Sequence, residues 1–458
     1  MLGKKSKQGG ATDMTVGSPY RLILIFSLPL LVGNIFQQLY NMVDSIVVGN
    51  LVGEKALAAV GTGFPIIFML SSLFMGIGVG ATIMISQFYG AKDMQRVKDT
   101  VGTIYTAIMI GILPLTVLGI VLADPLLRLM QVPDDGTLEM ARVYMIVIFV
   151  GIIGNLGFNI NAGILQGLGD SRTSLLFLMI ATVINIVLDL LFTASFHMGV
   201  FGVALATIIA QIFSWIFGIV FINRHYDFIH IRPLSFHFDR QLFFQAMRLG
   251  IPSGIQQALF SIGIMVMQSL VNGYGSNFMA GFNGANKIDS FAFMPIQSFT
   301  TAITTYVGQN IGAKRMDRVK HGVKAGLVLS VGCSILIGGL LFPISAWLMR
   351  MFSQNPEVIA AGVDYLQTVL PFYSLLALQF MFSSALRGAG EMIIPLISSF
   401  LSLWIARVPI AYWIAGVWGK EYIFLSYAAG WLLGFILVFI YYKTGRWKNK
   451  SVVAAKTE

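Results

Sequence analysis

Long apolar stretches, separated by short polar connections, run along almost the whole chain. Twelve such stretches can be counted, at about 20–51, 56–86, 100–122, 138–163, 173–196, 199–222, 242–272, 278–308, 322–348, 358–385, 393–418 and 421–442. Each is long enough for an α-helix to cross the hydrocarbon core of a bilayer, which takes about 20 apolar residues. The pattern predicts an all-α polytopic membrane protein with twelve transmembrane helices.

Within the second stretch, GIGVG at 76–80 contains a GxxxG, which permits close contact between helices.

The composition agrees with this pattern and excludes other classes of protein. Of the 458 residues, 56% are apolar and only 11% are charged, whereas a soluble globular protein carries about 25% charged residues. A soluble enzyme, a secreted disulfide scaffold and a disordered chain are excluded on this ground. The single cysteine, Cys333, allows neither an intrachain disulfide nor a cysteine-based metal site.

The distribution of basic residues predicts the orientation in the membrane. Of the 30 Lys and Arg residues, 23 lie in the tails and in loops on one predicted side, five lie on the other side and two lie within spans. Because Lys and Arg accumulate in cytoplasmic loops, both termini should be cytoplasmic. The net charge of +10 then reflects topology and attraction to membrane lipids, and we expect no nucleic-acid partner. The polar N-terminal tail predicts no cleaved signal peptide.

An internal repeat is the strongest signal in the sequence. The segment SQFYGAKDMQRVKDTV at 86–101 matches GQNIGAKRMDRVKHGV at 308–323, an offset of 222 residues. A second pair, LQGLGD from Leu165 and LRGAGE from Leu386, recurs at an offset of 221. A weaker third pair joins SLPLLVGNIFQQ from Ser27 to GIPSGIQQ from Gly250. Three matches in the same order at one spacing indicate a duplication.

The duplication predicts two six-helix lobes of the same orientation, because each half holds an even number of spans. We expect a cytoplasmic N-terminal tail at 1–19, an N-lobe at 20–222, a cytoplasmic inter-lobe linker at 223–241, a C-lobe at 242–442 and a basic cytoplasmic tail at 443–458. Such parallel repeats are related by a pseudo-two-fold axis along the membrane normal, and their substrates bind near the midplane. The alternative is a duplicated structural bundle without a central cavity. The different positions of charged residues in the two halves argue against it.

None of the common catalytic motifs occurs in the sequence. There is no GxxxxGK[ST] loop for nucleotide phosphates, no HExxH, no GxSxG and no CxxC. The five His residues lie in loops or at span ends. We therefore expect a protein that is not an enzyme, that needs no cofactor or metal, and that does not use ATP directly.

Asp44 is the strongest candidate for a functional residue. It lies deep in the first span, and a charge at the bilayer centre costs at least about 2.5–3.5 kcal/mol. The polar residues of this span recur at helical spacing and form one stripe, made up of Asn34, Gln37, Gln38, Asn41, Asp44 and Ser45. Such a stripe must face a cavity or another helix, so Asp44 could load and release a proton; the alternative is a structural hydrogen-bonding face. Pro29 removes one backbone hydrogen bond and marks a place where the helix could bend.

Two further acids lie well inside apolar segments. Asp189 follows Asn185 by one turn, and their oxygens could hold a proton or, with further oxygens, a hard cation such as Na⁺; the alternative is an interhelical hydrogen bond. Asp289 stands two residues after Lys287, and the eleventh span carries Arg407. For these three residues we expect an internal ion pair that locks the second half, with a substrate-facing charge as the alternative.

The repeat assigns ion coupling to the first half. Carried forward by the repeat spacing, the positions of Asp44 and Asp189 fall on residues that are not acidic. The second half keeps a polar stripe for the cavity lining without the carboxylates, at Ser253, Gln256, Gln257 and Ser261.

The segment SLPLLVGNIFQQLYNMVDSIVVGNLVGEKALAAVG, the two GAKxMxRVK loops and the LQGLGD and LRGAGE turns resemble the multidrug and toxic compound extrusion (MATE) transporters. The similarity spans about 20–442 and looks nearest to the bacterial DinF-like branch, typified by the DNA-damage-inducible members. The resemblance implies two six-helix lobes forming a V, alternating access, and export of cationic, amphipathic small molecules driven by H⁺ or Na⁺. It also favours a monomer in the cell membrane.

The resemblance further implies which residues form a first-lobe cation site. That site would consist of Asp44, Asn185, Asp189 and Thr207, with Tyr144 nearby, and Pro29 falls where the family has a bending proline. The other main branch carries acids on its seventh and tenth spans, and the chain departs from it there, with Phe260, Ser261 and Leu376. We therefore favour H⁺ and keep Na⁺ at the first-lobe site open.

Two alternatives to an efflux antiporter stay open. A lipid-linked oligosaccharide flippase of the same superfamily would need several cationic residues along the cavity, and only Lys287 and Arg407 lie inside spans. A receptor or structural protein of the membrane would need neither the duplication nor the unpaired acids of the first half. The hypothesis is therefore a cation-coupled multidrug efflux antiporter.

Overall fold

The computed structural model describes residues 10–232 and 237–453, and over these ranges the chain is helical without a β-strand. The helices of the first half are α1 Pro19–Val47, α2 Glu54–Gly90, α3 Met94–Leu129, α4 Thr137–Val150, α5 Ile152–Gly167, α6 Ser171–Leu190 and α7 Gly199–His225. Those of the second half are α8 Arg240–Asn272, α9 Ser276–Gly312, α10 Met316–Arg350, α11 Pro356–Val369, α12 Tyr373–Gly388, α13 Ile393–Phe400, α14 Val408–Val417 and α15 Leu425–Thr444. The prediction of an all-α protein is confirmed.

Most of the helical segments are suited to cross a membrane. In the described chain ten segments are long and apolar enough, and there are eleven if α4 and α5, which meet at an angle of 53°, form one broken span. The remaining predicted span is α9, which has 37 residues but is more polar because it carries several asparagines, Lys287 and Asp289. Three spans contain a π-helical turn, at Val48–Val52, Leu191–Ser195 and Leu401–Arg407.

The sequence repeat is also a repeat of backbone geometry. Lys92 and Lys314 both adopt a left-handed conformation, with φ of 60° and 56°. At the second pair of turns the left-handed residues are Gly169 and Gly390, with φ of 80° and 92°. In each turn a backbone N–H then bonds to the carbonyl five residues earlier, as at a helix C-terminus that ends on a left-handed residue. The matching sequences therefore form matching turns.

The first of two compact units contains residues 10–13 and 32–254. Its core is built where α2 packs on α3, α4 and α5, and where α7 packs on α4, α5 and α6. The segment at 10–13 is tied down by Thr12 N–H, which bonds to Leu168 O at 3.1 Å, and by an ion pair of 2.7 Å between Asp13 and Lys92. The described part of the predicted linker also packs on this unit, because His237 lies 3.3 Å from Asp99.

The second unit contains residues 14–31 and 255–453. In it α9 packs on α10, α11 and α12, and α12 packs on α15. Met14, Ile23 and Phe26 are buried in its core. Helices α1 and α8 therefore each contribute residues to both units, which differs from the predicted lobes at 20–222 and 242–442. The apolar pattern marks where a helix begins but not which neighbours its turns will bury.

The GIGVG segment of α2 lies directly against the first half of α8. A Cβ atom added to Gly80 would lie 2.6 Å from Ala246 O and 3.1 Å from Gly250 N, whereas a Cβ on Gly78 would have no neighbour within 4 Å. Gly76 is similarly close to Gly250 and Gly254. The two outer glycines thus allow the backbones of α2 and α8 to touch, as the GxxxG spacing predicts.

We expect Gly80→Ala to lower the thermal unfolding temperature of the protein in detergent, because the new methyl group forces the two backbones apart at a cost of about 1–3 kcal/mol. The matched control is Gly78→Ala, two residues away on the free face of the same helix. This control should be neutral or slightly stabilising, since alanine favours a helix more than glycine does. Equal unfolding temperatures for the two variants would contradict the close contact.

Candidate functional site

Two carboxyl groups meet inside the first unit. Asp44 lies near the end of α1 and Asp189 near the end of α6, and their side chains are within hydrogen-bonding reach of each other. Asp189 is 1% exposed. Among the described residues no Lys or Arg forms an ion pair with either acid. Two adjacent carboxylates without a cation repel each other, so this pair is suited to share a proton or a bound cation.

Both acids stand next to a π-helical turn. The turn at Val48–Val52 begins four residues after Asp44, and the turn at Leu191–Ser195 begins two residues after Asp189. The Thr193 hydroxyl donates to the backbone carbonyl of Asp189 at 2.5 Å. Single π-turns in α-helices often occur at functional sites, because they shift the side chains that precede and follow them.

Polar side chains from three helices surround the carboxyl pair. The Asn185 amide donates to the Thr207 hydroxyl of α7 at 3.4 Å, and Asn185 also lies beside Asp189. Tyr144 of α4 lies close to both carboxyl groups. An Oδ1 atom in each of Asp44, Asn185 and Asp189 is buried and accepts no hydrogen bond from a donor in the described chain. These oxygens are therefore available to a proton or a small cation.

The five residues that the family resemblance assigns to a cation site thus lie in one cluster, namely Asp44, Tyr144, Asn185, Asp189 and Thr207. Sequence reasoning missed Tyr40, which contacts Thr207 and lies near both acids. Tyr40 lies four residues, about one helical turn, before Asp44 and therefore on the same helix face. This spacing could have identified it from the sequence. No group of three or more His, Cys, Asp or Glu side chains suited to hold a metal occurs in the ranges that the structure covers.

The rest of the polar stripe on α1 does not join the cluster as a continuous surface. Gln37 and Asn41 are exposed, whereas Asn34 and Gln38 are half-buried. The Ser45 hydroxyl bonds to its own helix, at Asn41 O. A role for these residues in lining a substrate cavity stays a prediction. Pro29 lies inside α1, two residues before the point where the helix passes from the second unit to the first.

The two glutamines of α8 that are predicted to line the cavity differ from each other in their surroundings, and their role in the lining stays a prediction. Gln256 belongs to the second unit, where its amide nitrogen lies 2.5 Å from the Ser399 hydroxyl and its amide oxygen accepts from Arg387 at 2.9 Å. It is therefore engaged within the unit, whereas Gln257 is half-buried without a described side-chain bond.

The predicted ion pair in the second unit is wrong. In the described chain no ion pair joins Asp289 to Lys287 or to Arg407. Asp289 instead accepts a hydrogen bond from the Tyr373 hydroxyl, and Arg407 stacks on the Tyr427 ring, 3.2 Å from its centroid. Lys287 is exposed, because residues two apart on a helix face opposite sides.

Comparison with known proteins identifies the family. The sequence pattern of the MatE family matches residues 29–191 and again 252–413, so it covers both halves of the chain. Two curated relatives come from Bacillus subtilis (strain 168). The probable multidrug resistance protein YpnP is 29% identical over 453 residues, covering 97% of this chain and 100% of its own. The probable multidrug resistance protein YoeA is 30% identical over 460 residues, covering 95% and 96%.

A solved structure supports the fold independently. It is described as an outward-facing conformation of a multidrug resistance MATE family transporter of the MOP superfamily, and it matches with a TM-score of 0.89 at 24% identity, covering 96% of this chain and 98% of that one. At this identity the likeness concerns the fold alone, and it confirms the predicted fold class. From the two family matches, which together span more than half of the sequence, we conclude that the chain belongs to the MatE family, the multidrug and toxic compound extrusion transporters, and that it is a membrane transporter and not an enzyme.

Proposed function

We propose that the protein is a cation-coupled multidrug efflux antiporter that exports cationic, amphipathic compounds by alternating access, with H⁺ as the coupling ion. The single observation that carries this proposal is the pair formed by Asp44 and Asp189 inside the first unit. The names of the two Bacillus relatives, both probable multidrug resistance proteins, support the substrate class.

The composition of the cluster favours a proton over a metal ion. A proton needs only the two facing carboxyl groups, whereas a hard cation needs several more oxygen ligands around it. Beyond the acids, the cluster offers the Asn185 and Thr207 oxygens, and its remaining neighbours are the tyrosines Tyr40 and Tyr144. Na⁺ is the second candidate, because three buried oxygens of this cluster accept no hydrogen bond from the described residues.

The coupling follows from charge in a medium of low polarity. A proton taken up from outside by Asp44, assisted by Asp189, removes one negative charge from the first unit. This change favours a different conformation of α1 about Pro29, from which the drug leaves. A ligand shifts a conformational equilibrium only as far as its affinities for the two states differ, so proton and drug must prefer opposite states. The transporter then opens inward, releases the proton and binds the next drug molecule.

The charge balance of this exchange sets the driving force. If one proton enters for each monovalent drug cation that leaves, no net charge crosses the membrane. Membrane potential, which supplies about 2.3 kcal/mol per elementary charge and 100 mV, then contributes nothing. A pH gradient supplies about 1.4 kcal/mol per unit, which is a tenfold drug gradient. If two protons entered for each drug molecule, one for each carboxyl group, one net positive charge would move inward. The membrane potential would then also drive export.

We expect Asp44→Asn and Asp189→Asn each to reduce ethidium export at least tenfold in proteoliposomes with an imposed pH gradient, because an amide cannot take up the proton. The same vesicles under a sodium gradient without a pH gradient should show no export by the wild-type protein. Asp134→Asn is the matched control: it makes the same chemical change at an exposed loop position and should export ethidium like the wild type.

The two outcomes against this proposal are distinct. Full pH-driven export by Asp44→Asn would exclude the carboxyl pair as the coupling site. Export driven by sodium alone and abolished by Asp44→Asn would keep the site but assign it to Na⁺.

We expect Pro29→Ala to insert, to unfold at a temperature no lower than that of the wild type, and to export ethidium more slowly, because alanine restores the missing helix hydrogen bond and stiffens α1. A matched control is Pro114→Ala in α3, where a proline also lies inside a helix. Initial rates of export in proteoliposomes compare the two variants. A rate for Pro29→Ala equal to that of the control would remove Pro29 from the conformational change.

A further inference from the structure

A cavity of about 350 Å³ lies in the second unit, where α1 and α10 begin. The side chains around it are mostly basic and come from the first turn of α1, from the loop before α10 and from the first turns of α10. They include Tyr20, Arg315, Asp317, Arg318, His321 and Lys324. Because both helices are predicted spans that begin here, the cavity lies at the end of the spans, at the level where lipid headgroups meet the protein.

The charges around the cavity favour an anion. Three permanent cations, Arg315, Arg318 and Lys324, stand against one acid, Asp317. That acid is already bonded, because Arg315 Nε and Nη2 each lie 3.3 Å from one of its oxygens. The surplus is therefore two positive charges while His321 is neutral, and three when it is protonated.

Apart from Arg315, the basic side chains around the cavity form no ion pair with an acid of the described ranges. Arg318 is fixed by bonds from Nε to Asn310 Oδ1 at 3.0 Å and from Nη2 to Met14 O at 3.2 Å and Gly17 O at 2.9 Å. Its guanidinium also lies beside the Tyr306 side chain, 5.8 Å from the centroid of the ring. His321 Nδ1–H donates to Asp317 O at 2.9 Å, so Nε2 can donate to an anion only when the ring is protonated. The Lys324 ammonium has no partner in the described ranges. A guanidinium held in this way is preorganised for a phosphate group.

The internal repeat provides a natural comparison. At the repeat offset of 222, the basic residues at 315, 321 and 324 correspond to Asp93, Asp99 and Gly102 of the first unit. There Asp93 caps its helix by accepting from Arg96 N–H, Asp99 pairs with His237, and the His237 ring fills the space beside Gly102. The repeated turn thus carries acids in the first unit, where His237 fills the adjoining space. In the second unit it carries cations, and the adjoining space is an open cavity.

We propose that this cavity is a binding site for a phosphate group, carried either by an anionic phospholipid headgroup or by free inorganic phosphate. Basic pockets between membrane helices at the membrane surface bind anionic headgroups in this manner. The site is separate from the carboxyl cluster of the first unit and does not depend on the proposed transport activity.

The test measures binding to the full-length protein in detergent. Phosphatidylglycerol is the probe for a headgroup, phosphatidylcholine is its neutral counterpart, and inorganic phosphate is the probe for the free ion. Bound lipid is counted by native mass spectrometry, and phosphate binding is followed by the shift in unfolding temperature. The variants are Lys324→Gln and His321→Gln, which change exposed side chains. Lys98→Gln is the matched control, because it removes the same charge from the first turns of α3, at the repeat position of Lys320.

We expect the wild type and Lys98→Gln to retain phosphatidylglycerol in preference to phosphatidylcholine. Lys324→Gln should bind it about fivefold more weakly, the effect of one basic residue near a charged lipid surface. A stabilising shift by inorganic phosphate that Lys324→Gln loses would identify the free ion as an occupant as well. Equal retention of both lipids by the wild type, together with no shift by phosphate, overturns the proposal. Equal losses in Lys98→Gln and Lys324→Gln also overturn it, since they indicate general surface charge.

Discussion

The absence of water from the bilayer interior is the constraint on which this structure depends. A polar group that finds no partner in the hydrocarbon costs several kcal/mol, so the backbone adopts helices throughout the spans. Hydroxyl side chains bond to nearby carbonyls, as Ser214 does to Phe177 O and Ser398 to Gly434 O. Among the buried side-chain atoms of the described ranges that lack a partner, the Oδ1 atoms of Asp44 and Asp189 are the two that belong to carboxyl groups. The site differs from the other unsatisfied groups because its two acids lie next to each other and can share a proton.

Duplication and divergence explain how one half acquired the site. The backbone of the repeated turns has been retained, down to the left-handed lysines Lys92 and Lys314. The basic residues of the two GAKxMxRVK loops are retained as well, but other charged side chains have changed. The acids of α1 and α6 have no counterparts in the second half, and Asp93 and Asp99 after the first turn are replaced by basic residues after the second. A common scaffold thus supports titratable oxygens in one unit and a basic cavity in the other.

Much of this could be predicted from sequence, because hydropathy and helical spacing reflect the same solvent constraint. The all-helical fold, the repeat, and the placement of Asn185 and Asp189 on one helix face follow from those patterns. That Asp44 joins them was implied by the family resemblance alone. Other features depend on packing that the pattern does not contain. Asp289 bonds to Tyr373 and not to a cation, since an aromatic donor from a distant helix leaves no trace in local spacing. Tyr40 was overlooked because a tyrosine in an apolar span resembles any other aromatic residue.

The division of α1 between the two units has a consequence for biosynthesis. The first turns of this helix emerge from the ribosome early, yet the residues that bury Ile23 and Phe26 belong to the unit that begins again at residue 255. Those turns must remain in lipid, or against temporary neighbours, until most of the polypeptide has been made. Contacts between distant parts of a chain form slowly, because the intervening loop must first close. Neither half of the molecule can finish folding before the other has entered the membrane.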